Sequence, residues 1–101
     1  MDKALKEKWV AALRSGEYKQ GRGAIISGPA NDPHYCCLGV LAVVGSVSMR
    51  TSLGFTAEAY TFCARHLPSV RPFITLNDQL KQSFAEIADY IEKEVPTDDV
   101  A

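Results

Sequence analysis

The apolar positions of the chain keep helical spacing in some stretches and lose it in others. In residues 3–14, Leu5, Trp9, Ala12 and Leu13 share one stripe with lysines and Glu7 opposite, and Gly16 stands where a helix commonly stops. An amphipathic first helix is predicted. Gln20-Gly21-Arg22-Gly23 breaks the period, residues 24–26 (Ala-Ile-Ile) read as a short strand, and a turn cluster runs from Gly28 to Pro33. Residues 37–44 are almost wholly apolar, so periodicity cannot assign them. Their Leu and Ala content and the flanking Gly45 favour a buried helix over a strand.

Residues 45–55 read as a loop, after which Thr56 caps a helix whose Tyr60, Cys63, Ala64 and Leu67 recur at i, i+3, i+4 and i+7 until Pro68 ends it. Phe73-Ile74-Thr75-Leu76, rich in β-branched residues between Pro72 and Asn77-Asp78, reads as a second strand pairing with residues 24–26. The last helix has the clearest signal, because Ser83 and Glu86 form a capping box ahead of Phe84, Ile87, Ala88 and Ile91, and Pro96 closes it. The expected fold is α+β and mostly helical, a single domain over residues 1–96 with about four helices, a two-stranded antiparallel ribbon and a frayed tail at 97–101. The expected core is Leu5, Trp9, Leu13, Leu38, Leu41, Val44, Tyr60, Leu67, Phe84, Ile87 and Ile91.

Composition narrows the classes. With 101 residues, 47% apolar and 23% charged, the chain suits one globular domain and excludes fibrous or disordered classes. A formal net charge of -1 lacks the excess of cations that phosphate neutralisation requires, so DNA is not the expected partner. The charge is nonetheless uneven: residues 1–23 carry six cations and three anions, residues 83–101 six anions and one cation. The two ends can attract within the fold, or the acidic last helix can serve an adaptor role by docking a partner. The longest apolar run, 38–44, is too short for a bilayer, and Met1 to Lys8 holds no apolar core of a signal peptide. A cytoplasmic location and no membrane partner are therefore expected.

Three cysteines, two of them adjacent, argue against a disulfide framework, and their spacing to His34 and His66 fits no zinc pattern, so no metal or cofactor is expected. Cys36 and Cys37 precede a predicted helix, whose N-terminus would favour a thiolate. With His66 as base and Asp78 or Asn77 as orienter they form a candidate Cys-His-Asp/Asn hydrolase or transferase set. The competing reading is that all three thiols are core. Gln20-Gly21-Arg22-Gly23 places a guanidinium between two flexible backbone positions, a combination suited to an anion such as phosphate or carboxylate. In this binding reading Arg22 with the Gly21 and Gly23 backbone holds the anion. Gln20 and Asn77, with Asp78 beside them, hydrogen-bond a base or sugar, and Tyr18 or Tyr35 stacks. Unpaired ribbon edges and the modest core of so small a domain also favour a homo-oligomer.

Four segments in order, from Trp9-Val10-Ala11-Ala12-Leu13-Arg14-Ser15-Gly16-Glu17-Tyr18-Lys19-Gln20 through Tyr35-Cys36-Cys37-Leu38-Gly39-Val40-Leu41 and Leu76-Asn77-Asp78 to Ser83-Phe84-Ala85-Glu86-Ile87-Ala88-Asp89-Tyr90-Ile91-Glu92, resemble a family of small, largely uncharacterised proteins met in phages, prophages and actinobacteria. The resemblance covers most of the chain. It departs at Gln79-Leu80-Lys81-Gln82, where the family would place a glycine-containing turn. The resemblance implies a phage-type accessory role without catalytic residues. Such proteins often counter host defence, by occluding a defence protein or by binding a nucleotide signal.

Overall fold

The computed structural model describes residues 1–29, 31–47 and 57–98. They form one α+β domain that is mostly helical: α1 (Lys3–Ser15), β1 (Lys19–Gln20), β2 (Ile26–Ser27), β3 (His34–Tyr35), α2 (Cys37–Val44), α3 (Ala57–His66), α4 (Arg71–Ile74), a π-helical turn (Thr75–Gln79) and α5 (Phe84–Glu94).

Each long helix follows from its ends and its stripe. The Asp2 carboxylate accepts the Leu5 N–H at 2.8 Å to start α1, and Gly16 stops it in the left-handed conformation at φ 79°. Trp9, Val10 and Leu13 form its buried face. The predicted capping box of α5 is present, with Ser83 and Glu86 each bonded to the other's backbone N–H, and Phe84, Ile87, Ala88 and Ile91 face inward. Helix α2 is buried from Cys37 to Ala42, which is why its sequence shows no polar face. It lies at the centre, with α1 and α3 packed on it and α5 packed on α1. The Trp9 indole donates to the Cys37 carbonyl at 2.8 Å, and the Phe73 ring lies 5.3 Å from the Trp9 ring.

The ribbon expected between residues 24–26 and 73–76 does not form. Pro72 sits in the first turn of α4, a position that its fixed φ and missing N–H suit, and Phe73 is pulled inward between Trp9 and Tyr90. Tertiary packing overrides the β-branched Ile74 and Thr75. The sheet is built instead from three two-residue strands in the order β1-β3-β2. Lys19 and Gln20 pair in parallel with His34 and Tyr35, while Ile26 and Ser27 pair with Tyr35 and His34 in antiparallel register. Of the predicted strand, Ile26 alone enters the sheet.

Eight of the eleven expected core residues are buried. Leu5 and Val44 are half-buried, and Tyr60 is a correction, since 45% of it is exposed. Cys63 and Phe73 join the core, and Asn77 is its buried polar member. The predicted cap Thr56 lies outside the described residues, as does most of the loop before it. Asp98, within the expected tail at 97–101, donates its N–H to the Met1 carbonyl at 2.9 Å. No helix among the described residues is long and apolar enough to cross a membrane.

Candidate functional site

The π-helical turn widens the backbone by one residue and aims Asn77 into the core, where it is fully buried. A buried amide must find partners, and this one finds them on several segments. Its Oδ1 accepts from Gln20 Nε2 at 2.9 Å and from the Cys37 N–H at 3.3 Å. Its Nδ2 donates to the Gly21 carbonyl at 2.8 Å and to Asp78 Oδ1 at 2.7 Å. Gln20 Nε2 donates also to the Gln82 carbonyl at 2.8 Å. Of the two amides expected to read a ligand, Gln20 has its NH2 engaged with Asn77 and the Gln82 carbonyl, and Asn77 has both its oxygen and its NH2 engaged.

The remaining predicted binding residues divide. Tyr18 and Tyr35 meet edge to face at 5.6 Å and occupy each other rather than a free ring, and burial followed by the nearby Tyr18 raises the Tyr35 hydroxyl above its usual range. Gly21 donates its N–H to the Tyr35 carbonyl at 2.7 Å as part of the sheet margin. Arg22 is exposed, and its Nη2 donates to the Lys81 carbonyl at 3.1 Å. Lys81 takes φ 53°, the left-handed conformation a turn glycine would adopt easily. Residues Gln79 to Gln82 thus make this turn without a glycine.

Gly23 and Asp78 come together in a cavity of about 170 Å³, walled also by Ile25, Cys36, Tyr60 and Ile74. Gly39 makes the wall possible. A Cβ there would collide with the Ile25 carbonyl, the same oxygen that accepts the Cys36 N–H at 3.1 Å. Tyr60 and Ile74 are apolar groups left exposed at this cavity, and Leu80 is exposed nearby in sequence. Sequence reading missed both at this cavity because Tyr60 fitted the inward stripe of a helix and Ile74 a strand of the expected ribbon.

The nucleophile set is not assembled. Cys37 is buried, its thiol donates to the Phe73 carbonyl at 3.6 Å, and burial pushes it well above the usual thiol range, aided by Cys36, Cys63 and Asp78. Burial also raises Cys36, against the opposing pull of the Gly39 and Leu38 N–H groups at the α2 N-terminus. His66 packs its ring 4.4 Å from Phe62 and lies in a different depression with Arg65 and Pro68. Among the described residues no cluster of three His, Cys, Asp or Glu could hold a metal ion.

A larger groove of about 470 Å³ runs along α1 past Lys6, Val10, Arg14 and Glu92. Its charges serve the fold. Arg14 bridges Asp89 at 2.6 Å and Glu92 at 2.7 Å, which raises the guanidinium and lowers Glu92, and Lys6 Nζ caps the Val95 carbonyl at 2.5 Å. The opposite charges of the two chain ends are joined here, and two carboxylates of the acidic helix are engaged.

Residues 1–70 match the family described as a domain of unknown function (DUF8296), and the chain belongs to that family. No curated protein and no solved structure matches the chain.

Proposed function

We propose that the chain is a non-enzymatic binding module for a small phosphorylated ligand of nucleotide type, in a phage accessory role directed against host defence. The observation that carries this reading is the cavity of about 170 Å³ with apolar walls and one carboxylate, Asp78, taken with the exposed guanidinium of Arg22, the residue before Gly23 of that wall. Pockets that enclose a whole drug-sized ligand measure roughly 300–1,000 Å³. This one admits a single ring system and leaves the rest of the ligand outside. Arg22 precedes Gly23 of the wall and is bonded to Lys81, three residues past Asp78. With one N–H of the fork used on a carbonyl, the others are left for a phosphate. Tyr60, rather than Tyr18 or Tyr35, is the aromatic available to stack.

Calorimetry against cyclic and linear nucleotides tests the reading, with stoichiometric binding expected and at least a tenfold loss for Arg22→Ala. Absence of binding to every nucleotide, or an Arg22→Ala protein that binds as the parent does, overturns it. A second reading draws on Tyr60, Ile74 and Leu80, exposed apolar side chains of the kind that anchor protein interfaces. Here the same face occludes a host defence protein. Both readings predict protection of a phage in plaque assays on hosts carrying the matching defence. Nucleotide binding separates them.

A further inference from the structure

The carboxylate of Asp78 is the strongest polar group in the cavity wall, and an ionised carboxylate only accepts hydrogen bonds. Its Oδ1 is already held by Asn77 Nδ2 at 2.7 Å, and Oδ2 has no hydrogen-bond partner among the described residues. Asn77 cannot turn away, since its other bonds go to Gln20, Gly21 and Cys37 on separate segments. Asp78 is thereby set before any ligand arrives, with Oδ2 free and a further lone pair on Oδ1. A preset acceptor favours a ligand edge that presents donors and penalises one that presents lone pairs, because the half-buried Asp78 would be covered by such an edge without gaining a partner.

Resting on the nucleotide reading above, we infer that the cavity selects guanine and that Asp78 is its specificity-determining residue. Among the common bases, guanine places two donors side by side, N1–H and the 2-amino group, matching the two oxygens of one carboxylate in a charge-assisted pair. Adenine and cytosine place a ring nitrogen lone pair beside their amino group, and uracil flanks its single N–H with carbonyls. Each therefore sets a lone pair against Asp78. The apolar walls at Ile25 and Ile74 and the ring of Tyr60 accept the faces of a flat heterocycle, and the exposed Arg22, next in sequence to Gly23 of the wall, is the cation assigned to its phosphate. The cavity volume suits the base alone, so recognition is of the base edge and phosphate, with the ribose left in solvent.

Calorimetry with guanosine, inosine, adenosine and xanthosine monophosphates on the intact chain and on Asp78→Asn tests this. Inosine monophosphate lacks only the 2-amino group, and its binding is expected to weaken about 5- to 150-fold, the range of one good bidentate pair. Asp78→Asn keeps an oxygen for Asn77 and turns an NH2 toward the cavity. It should lose the guanosine preference and gain one for xanthosine monophosphate, whose C2 carbonyl accepts where guanine donates. Equal affinity for guanosine and inosine monophosphates in the parent, or an unchanged order of preference in Asp78→Asn, overturns the guanine assignment and leaves nucleotide binding standing. Binding of none of the four, nor of any cyclic or linear nucleotide, removes both.

Discussion

A thiol at a helix N-terminus is ordinarily tipped toward thiolate by the dipole and the free N–H groups, and Cys36 and Cys37 stand at the start of α2. Burial outweighs that pull at both, and Cys63, whose thiol donates to the Leu38 carbonyl at 3.3 Å, is pushed up to about 12 by the same cause. The sequence shows where cysteines stand along a helix but not how much water reaches them, so a nucleophile and a core residue read alike. A raised thiol pKa has a consequence for stability. Below the ordinary value of 9.0 both states are protonated and the contribution is full. As pH rises beyond it the unfolded chain releases a proton that the folded chain keeps, and stability falls until about 12. The slope for one such group is about 1.4 kcal/mol per pH unit. Urea denaturation at pH 8 and pH 10.5 should show Cys63→Ala losing roughly 2 kcal/mol less than the parent. Equal losses in the two proteins would reject the titration of Cys63.

The longer amphipathic helices were legible at the scale of elements because their signals extend over about three turns, as in the stripe of α1 and the capping box of α5, whereas the four-residue α4 was read as a strand. The strands were not, since two residues are too few to show a period of two, and Lys19–Gln20 carries no apolar residue at all. The binding reading nevertheless grouped the segment Gln20 to Gly23 with Asn77 and Asp78, and that neighbourhood exists without a ribbon. The Asn77 amide bonds to the Gly21 carbonyl, and Arg22 bonds to the Lys81 carbonyl across the same seam. Asn77 therefore does between elements what strand pairing was expected to do. Asn77→Ala would leave the buried Cys37 N–H and the half-buried Gly21 carbonyl without their side-chain partner, while Gln20 retains Gln82. At about 1–3 kcal/mol for each buried group left unpaired, we expect a loss of roughly 3 kcal/mol in denaturant unfolding. A loss below about 1 kcal/mol would mean that these segments are joined by packing alone.

The candidate cavity belongs to the whole molecule, because its walls come from the residues before β2, the start of α2, the middle of α3 and the α4 to π-turn segment. Helix α3 packs mainly on α2, through buried Ala59 and Cys63, and turns Tyr60 toward the cavity. An occupant would touch Tyr60 on one side and Ile74 and Asp78 on the other, adding a bridge from α3 to a segment on which it rests little. Ligand binding to the native state stabilises by mass action, about 2.7 kcal/mol at a hundred times Kd. Local openings that break the new bridge become rarer by the same logic. Hydrogen exchange on the chain with guanosine monophosphate at that excess should therefore slow together in α3, in residues 23–25 and in residues 74–78. The groove between α1 and α5 supplies the control, since it is larger and open, and its ion pairs hold the two chain ends whether or not the cavity is filled. Protection that appeared along α1 and α5 while α3 exchanged as before would move the ligand to that groove and remove the cavity as the site.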